Sequence, residues 1–265
     1  MSAAAISASG VVGQVGLLAG RSVLHTMRQP AQLVFPIAFP LVLLGVNTSG
    51  LDAATNLPGF PTASYLDFAL AVPFMQGALF SALNGGQDLA RDIEGGFLDR
   101  LALTPMSGAA LLVGQLGGAL FTGVLSSILY LLTGLLFGAG ITAGIGGALV
   151  LIVLAVTICM AFACFGTFVA LRAGSGEAVQ GFFPLFFVLL FLSSAFFPRE
   201  LIEQDWFRTI ATYNPVSYMV EGIRSLVITG WDGKALAAAF AIAGGAIVAF
   251  LALSSRALRT RLVRT

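Results

Sequence analysis

Chemistry that needs a nucleophile, a general base or a metal finds few residues to use in this chain. The single histidine, His25, stands near Arg28 in a basic, amphipathic N-terminal segment, and any Ser-His-Asp triad would have to be built on it. The two cysteines, Cys159 and Cys164, sit in an uncharged apolar run. Five residues apart on a helix, they point about 140° away from each other, which suits neither a disulfide nor a metal pair, and no Cys/His cluster supplies zinc ligands. Gly16-Leu-Leu-Ala-Gly-Arg-Ser22 has the look of a phosphate loop but is one residue short and lacks the lysine. Two richer constellations remain. From Arg91 to Pro105 (RDIEGGFLDRLALTP), Glu94, Asp99 and Arg100 surround a short predicted helix whose Phe97, Leu98 and Leu101 form an apolar knob. Such a helix fits a partner's groove, the apolar anchors giving affinity and the charges register. From Asn214 to Arg224 (NPVSYMVEGIR), Tyr218, Glu221 and Arg224 follow three apart, so one helical face holds all of them and permits an ion pair.

The elements that must position these segments are apolar. Of 265 residues, 58% are hydrophobic and 9% charged, against about 25% charged in soluble domains. Thirteen cationic and twelve acidic side chains leave a net charge of +1, so there is no basic field to hold nucleic acid and no acidic composition pointing to disorder. A soluble enzyme is disfavoured. Six largely uncharged stretches are long enough for a ~30 Å hydrocarbon core: 31–50, 64–87, 107–138, 144–171, 178–197 and 235–255, with Asp67 intruding at the edge of the second. LFFVLLFL (Leu185 to Leu192) and GALVLIVLAV (Gly147 to Val156) are apolar on every side, as helices among lipid and other helices are and alternating barrel strands are not. The expectation is an all-α integral membrane protein with residues 1–265 as a single domain. Pro36, Pro40, Pro73 and Pro184 mark bends in the spans, tolerated where neighbours take over the freed backbone groups. Glycines four apart (Gly16 with Gly20, Gly114 with Gly118, Gly134 with Gly138) allow close helix approach.

No basic residue precedes Arg21, so a secretory signal is not expected. Residues 7–29 read instead as a helix in the membrane interface, with Gln14, Arg21, His25 and Arg28 on one face and Val12, Gly16, Ala19, Val23 and Met27 on the other. With the N-terminus inside, nine arginines lie on the cytoplasmic side and four cations (Arg199, Arg208, Arg224 and Lys234) outside, which places both termini in the cytoplasm. Residues 88–106 then form a large inner loop, and 198–234 an outer region of amphipathic helices. The spans lack the central carboxylates of ion-coupled transport and any TVGYG-type filter. Leu83-Asn-Gly-Gly-Gln87 is close to the LSGGQ signature of cassette ATPases, yet no Walker A or Walker B motif accompanies it. The chain therefore has no nucleotide site of its own.

The inner loop resembles the cytoplasmic coupling region of ABC-2 type permeases, the family of daunorubicin-resistance and nodulation-factor exporters, which reads roughly E-x-G-T-L-E-R-L-x-x-T-P. Glu94, Gly96, Leu98, Asp99 (acid for acid), Arg100, Leu101, Thr104 and Pro105 match, and Phe97 stands where Thr is usual. Asn214, Pro215, Ser217, Tyr218, Glu221 and Arg224 are similar to the family's N-P-x-[ST]-[YH]-x-x-E-x-[IVL]-R. Leu192-Ser-Ser-Ala-Phe-Phe-Pro198 followed by Trp206 resembles the family's exit from span five.

The resemblance implies six transmembrane helices, an N-terminal interfacial helix and outer re-entrant helices between spans five and six, in the cell membrane. It also implies two separate ABC ATPase subunits, which would carry the ATP and magnesium, and a second permease, identical or a sister chain. No cofactor belongs to this chain, and it is not itself an enzyme. The expected activity is ATP-driven export of a hydrophobic or amphipathic cargo, a drug or a lipid, by alternating access. Glu94 to Pro105 would couple to the ATPase, and Asn214, Pro215, Tyr218, Glu221 and Arg224 would shape an outer gate. Phe74, Met75 and Phe80 of span two, with Phe182, Phe183, Phe186, Phe187 and Phe191 of span five, offer aromatic and soft surface to a cargo; packing of helices or contact with lipid would use them equally well. A lipid-linked glycan is an alternative cargo. A membrane anchor or assembly factor that transports nothing is the alternative of another class.

Overall fold

A computed structural model describes residues 3–97, 100 and 107–262, and every regular element among them is helical. Helix α1 is Ala3–Met27, α2 Pro30–Leu51, α3 Tyr65–Ala69, α4 Ala71–Glu94, α5 Gly108–Gln115 and α6 Gly117–Leu136. The chain continues as α7 Gly144–Ala173, α8 Gly176–Gly181, α9 Phe183–Phe191, α10 Asp205–Tyr213, α11 Pro215–Ile228 and α12 Gly233–Leu262. Among the described residues, five segments are long and apolar enough to cross a membrane: Gln32–Asn56, Tyr65–Glu94, Gly108–Leu136, Gly144–Ala173 and Gly233–Arg261. They coincide with five of the six stretches expected from the sequence.

The remaining stretch, 178–197, is not one helix. Pro184 lies in the first turn of α9, which starts afresh after Gly181 and Phe182; α9 ends at Phe191, and the chain continues in turns and bends from there to Pro198. Together α8 and α9, Gly176–Phe191, fall short of the five long segments and of the roughly 20 residues that a ~30 Å core requires.

A proline within a helix removes its own N–H and leaves the carbonyl four residues earlier without a donor. In α2, Pro36 and Pro40 free the carbonyls of Gln32 and Pro36. Both are satisfied from neighbouring helices: Asn84 Nδ2 donates to the Gln32 carbonyl at 3.2 Å, and Tyr130 Oη to the Pro36 carbonyl at 2.6 Å. Asn84, the second residue of the stray LNGGQ match, thus has a structural employment. The break between α5 and α6 is closed in the same manner. Ser22 Oγ donates to the Gln115 carbonyl at 3.1 Å and accepts from Gly118 N at 3.0 Å.

Helix α4 is the hub. Of the apolar window of Tyr65–Glu94, 83% is buried, against 17% for the first and last long helices, which therefore present most of their surface to the outside of the bundle. Against α7 the hub comes backbone to backbone: a Cβ on Gly166 would collide with the Ala82 carbonyl, and one on Gly86 would meet the Gly166 carbonyl at 2.8 Å. Around this contact Phe68, Phe74, Met75, Tyr130, Leu151, Leu154, Ile158 and Ile223 form the core. Of the three glycine pairs four apart, Gly114 with Gly118 receives a helix, since Cβ atoms there would meet Leu18, Ser22 and Thr26 of α1. Gly134 makes room for Leu70 while Gly138 lies in a turn, and Gly16 and Gly20 face open space.

Tyr130→Phe should lower the unfolding midpoint in mild detergent, because a buried carbonyl left without its donor costs about 1–3 kcal/mol. Pro40→Ala restores a backbone donor to Pro36, so the double variant should recover much of the loss. Equal midpoints for wild type and Tyr130→Phe would show that the Pro36 carbonyl does not need this hydroxyl.

Candidate functional site

The charged side chains gather at the two ends of the helix bundle. At one, the basic end, α1 lies against the ends of α4 and α5. Asp88 and Asp92 are four apart on α4, as Arg21 and His25 are on α1, so the two helices meet as a ladder. Arg21 grips Asp92 with both guanidinium nitrogens, at 2.9 and 2.7 Å, and Gln115 of α5 donates to the same carboxylate at 3.2 Å. His25 stands 3.7 Å from Asp88, which also takes Arg91 at 3.3 Å. The hydrogen bonds that Arg21 donates to Asp92 hold its guanidinium charged beyond its ordinary range, against the opposing effect of burial.

Beyond α4 the chain turns at Gly95 and Gly96, the latter at φ +65°, a conformation that favours glycine. Phe97 follows, its ring 4.0 Å from the Arg21 guanidinium carbon. Arg100 donates to the Gly95 carbonyl at 3.4 Å, and Glu94 accepts from Gly176 N, at the start of α8, at 3.3 Å. Of the residues expected to couple, Glu94, Gly96, Phe97 and Arg100 thus sit together at this joint; Leu98, Asp99, Leu101, Thr104 and Pro105 lie outside the described residues. Sequence reading placed Arg21 on a polar face but missed its pairing with Asp92. Two oppositely charged i,i+4 pairs on separate helices were the available signal.

At the opposite end, the residues expected to form an outer gate converge on the unwound exit of α9. Asn214 caps α11 by accepting from Val216 N at 2.9 Å, while its amide donates to the carbonyls of Leu189 and Leu192 at 2.7 and 3.2 Å. Pro215 takes the first helical position, where a missing donor costs nothing. Arg224, 8% exposed, donates to the carbonyls of Phe68, Ser194 and Ala195 at 3.2, 2.9 and 2.8 Å, over the ring of Phe68. Ser217 Oγ accepts from Ser194 N at 3.0 Å.

Glu221 does not pair with Arg224, as the spacing suggested. Its carboxylate binds Arg199, with Arg199 Nε at 2.6 Å from Oε1, and the Arg199 guanidinium lies over the ring of Tyr218. The reason is that Arg224 turns into the bundle, where carbonyls of unwound chain need donors, leaving Glu221 to a cation at the rim. Hydrogen bonding to Glu221 raises the Arg199 pKa. Tyr218 Oη donates to the Thr212 carbonyl at 2.9 Å. A cleft of about 580 Å³ opens here, with Phe68, Arg199, Arg208, Glu221 and Arg224 among its walls.

The phenylalanines divide. Phe80 bridges Phe35 and Phe39 of α2 to Phe183 of α9, with ring centroids 5.4, 6.0 and 5.7 Å apart. The row continues through Phe187 and Phe191 to Phe196. Phe182 and Phe186 pack instead on Phe165 of α7. Phe74 and Met75 are buried in the core, Phe74 edge-on to Tyr130. Phe35 and Phe39, missing from the sequence reading, join the row because α2 lies against α4; no periodicity within either helix reveals that.

The profile of ABC-2 type transporters matches residues 13–228. A chain named as a transport permease, ycf38, of Porphyra purpurea is 30% identical over 229 residues, which are 84% of this chain and 77% of that one. Its namesake from Pyropia yezoensis is 29% identical over 222 residues, 82% of this chain and 74% of the relative.

Arg224→Met should sharply reduce the yield of folded protein, since each carbonyl it strands costs about 1–3 kcal/mol. Arg224→Lys, with a cation but no planar fork, should fall between. Size-exclusion profiles and unfolding midpoints that match wild type in both variants would remove Arg224 from its structural role.

Proposed function

The chain belongs to the ABC-2 type transporter family, and from that premise we propose that it is the permease subunit of an exporter driven by separate ATPase subunits. Two permeases, this chain twice or with a sister chain, would join two ABC ATPases that carry the ATP and magnesium. The cargo would be hydrophobic or amphipathic, a drug or a lipid. The basic end faces the cytoplasm in this reading, consistent with nine of thirteen cations on that side. Exposed Trp206, Tyr213 and Trp231 suit the opposite interface. The α8–α9 segment and the turn beyond it serve as a sixth crossing, α10 and α11 as re-entrant outer helices, and α1 as the interfacial helix, all in one domain.

The observation that carries the proposal is the joint at the basic end. The coupling segment is tied to four helices at once: α4 directly, α1 through Arg21 and Phe97, α5 through Asp92 and Gln115, and α8 through Glu94. A push delivered to Glu94–Arg100 by an ATPase therefore reaches the second, third and fifth crossings and the interfacial helix together. ATP would shift the permease between inward-open and outward-open arrangements only by its differential affinity for the two. The aromatic row from Phe35 to Phe196 offers a sliding face for apolar cargo, and the α9 exit held by Asn214 and Arg224 would be the outer gate.

Affinity purification of the tagged chain from its native membrane, followed by an ATPase assay, tests this. A stoichiometric ATPase should come with it, and Glu94→Arg or Arg100→Glu should abolish nucleotide-dependent transport while leaving membrane insertion intact. Recovery of the chain alone, or with partners that hydrolyse no ATP, would overturn the proposal in favour of an anchor or assembly role.

A further inference from the structure

At the basic end, on the side of the bundle formed by α5 and α12, lies a groove of about 360 Å³. Gly108, Ala109, Leu112 and Val113 form one wall and Leu251, Ser255, Leu258 and Arg259 the other. Gly108 sets its width, because a Cβ there would come within 3.2 Å of Leu258. Along α12, Leu251, Ser255 and Arg259 stand four apart on one face, so the wall runs from hydrocarbon through hydroxyl to guanidinium over about 12 Å at 1.5 Å per residue. That is the order in which a phospholipid presents its acyl chain, ester region and phosphate.

Charge points the same way. Helix α12 carries Arg256, Arg259 and Arg261 in its last turns and no carboxylate along its length, and the described lining of the groove holds none. Arg261 is spent on the Leu171 carbonyl at 3.4 Å. Arg256 and Arg259 are exposed, and among the described residues neither side chain has a hydrogen-bond or ion-pair partner. Complementing the helix dipole needs cations near this terminus but no groove beside them. We propose that the α5–α12 groove is a binding site for one anionic phospholipid, its phosphate on Arg259 and Arg256 and an acyl chain against Leu112, Val113 and Leu251. Basic pockets between helices at a membrane surface are suited to such headgroups. The lipid would bridge the helix that follows the coupling segment to the last crossing. This site is independent of the transport reading, since it requires only that the chain be membrane-embedded.

Native mass spectrometry of the full chain, released from nanodiscs of phosphatidylcholine with phosphatidylglycerol, reads the site directly. Wild type should retain one phosphatidylglycerol in preference to phosphatidylcholine. Arg259→Glu should lower that preference roughly fivefold or more, given about 1 kcal/mol per cation near an anionic surface. Ala109→Trp, which fills the groove, should abolish retention, and Arg208→Glu at the opposite end should leave it unchanged. Equal retention of the two lipids by wild type, or an unaltered preference in Arg259→Glu, overturns the proposal. So does a lipid-free dimer cross-linked through Val113 and Leu251, which would give the groove to a second copy of the chain.

Discussion

Within hydrocarbon no water is at hand for an unpaired backbone group, and this constraint organises the protein. A straight helix meets it alone, but these helices are broken by prolines, by glycines and by an unwound exit. Several of these breaks are closed by polar side chains from other helices. Asn84 and Tyr130 serve the carbonyls freed in α2, Ser22 the junction of α5 and α6, and Asn214, Ser217 and Arg224 the end of α9. These polar residues therefore act as stitches. Because a stitch needs both ends in register, they fix which helices are neighbours more strictly than apolar packing would.

Close packing supplies the rest. With lipid tails as apolar as leucine, helices gain little from burying hydrocarbon against one another and rely on close contact instead. The glycines at 86 and 166 bring α4 and α7 to backbone distance, and those at 114, 117 and 118 receive α1. The hub helix thus carries both the Arg21–Asp92 joint near its end and the ring of Phe80 in the aromatic row.

The two ends differ in how their charges are spent. At the basic end, the Arg21–Asp92 ion pair links separate helices at the rim, partly in water, where it is inexpensive to break and remake. At the other, the buried guanidinium of Arg224 holds main chain and could not let go without stranding carbonyls.

Composition and the six apolar stretches were enough to establish a multi-span helical membrane protein, because lipid imposes length and hydropathy on every crossing. The motifs around Glu94 and Asn214 were also legible, since their spacing is local. Tertiary structure alone decided who meets whom. Glu221 answers to Arg199 and not to its helical neighbour Arg224; Phe35 and Phe39 complete a row begun on other helices; and residues 178–197, apolar enough for a span, break at Pro184 and unwind after Phe191. Periodicity reports the faces of one helix, whereas the partner of an exposed charge or a freed carbonyl depends on helices far away in the chain, brought near only by packing.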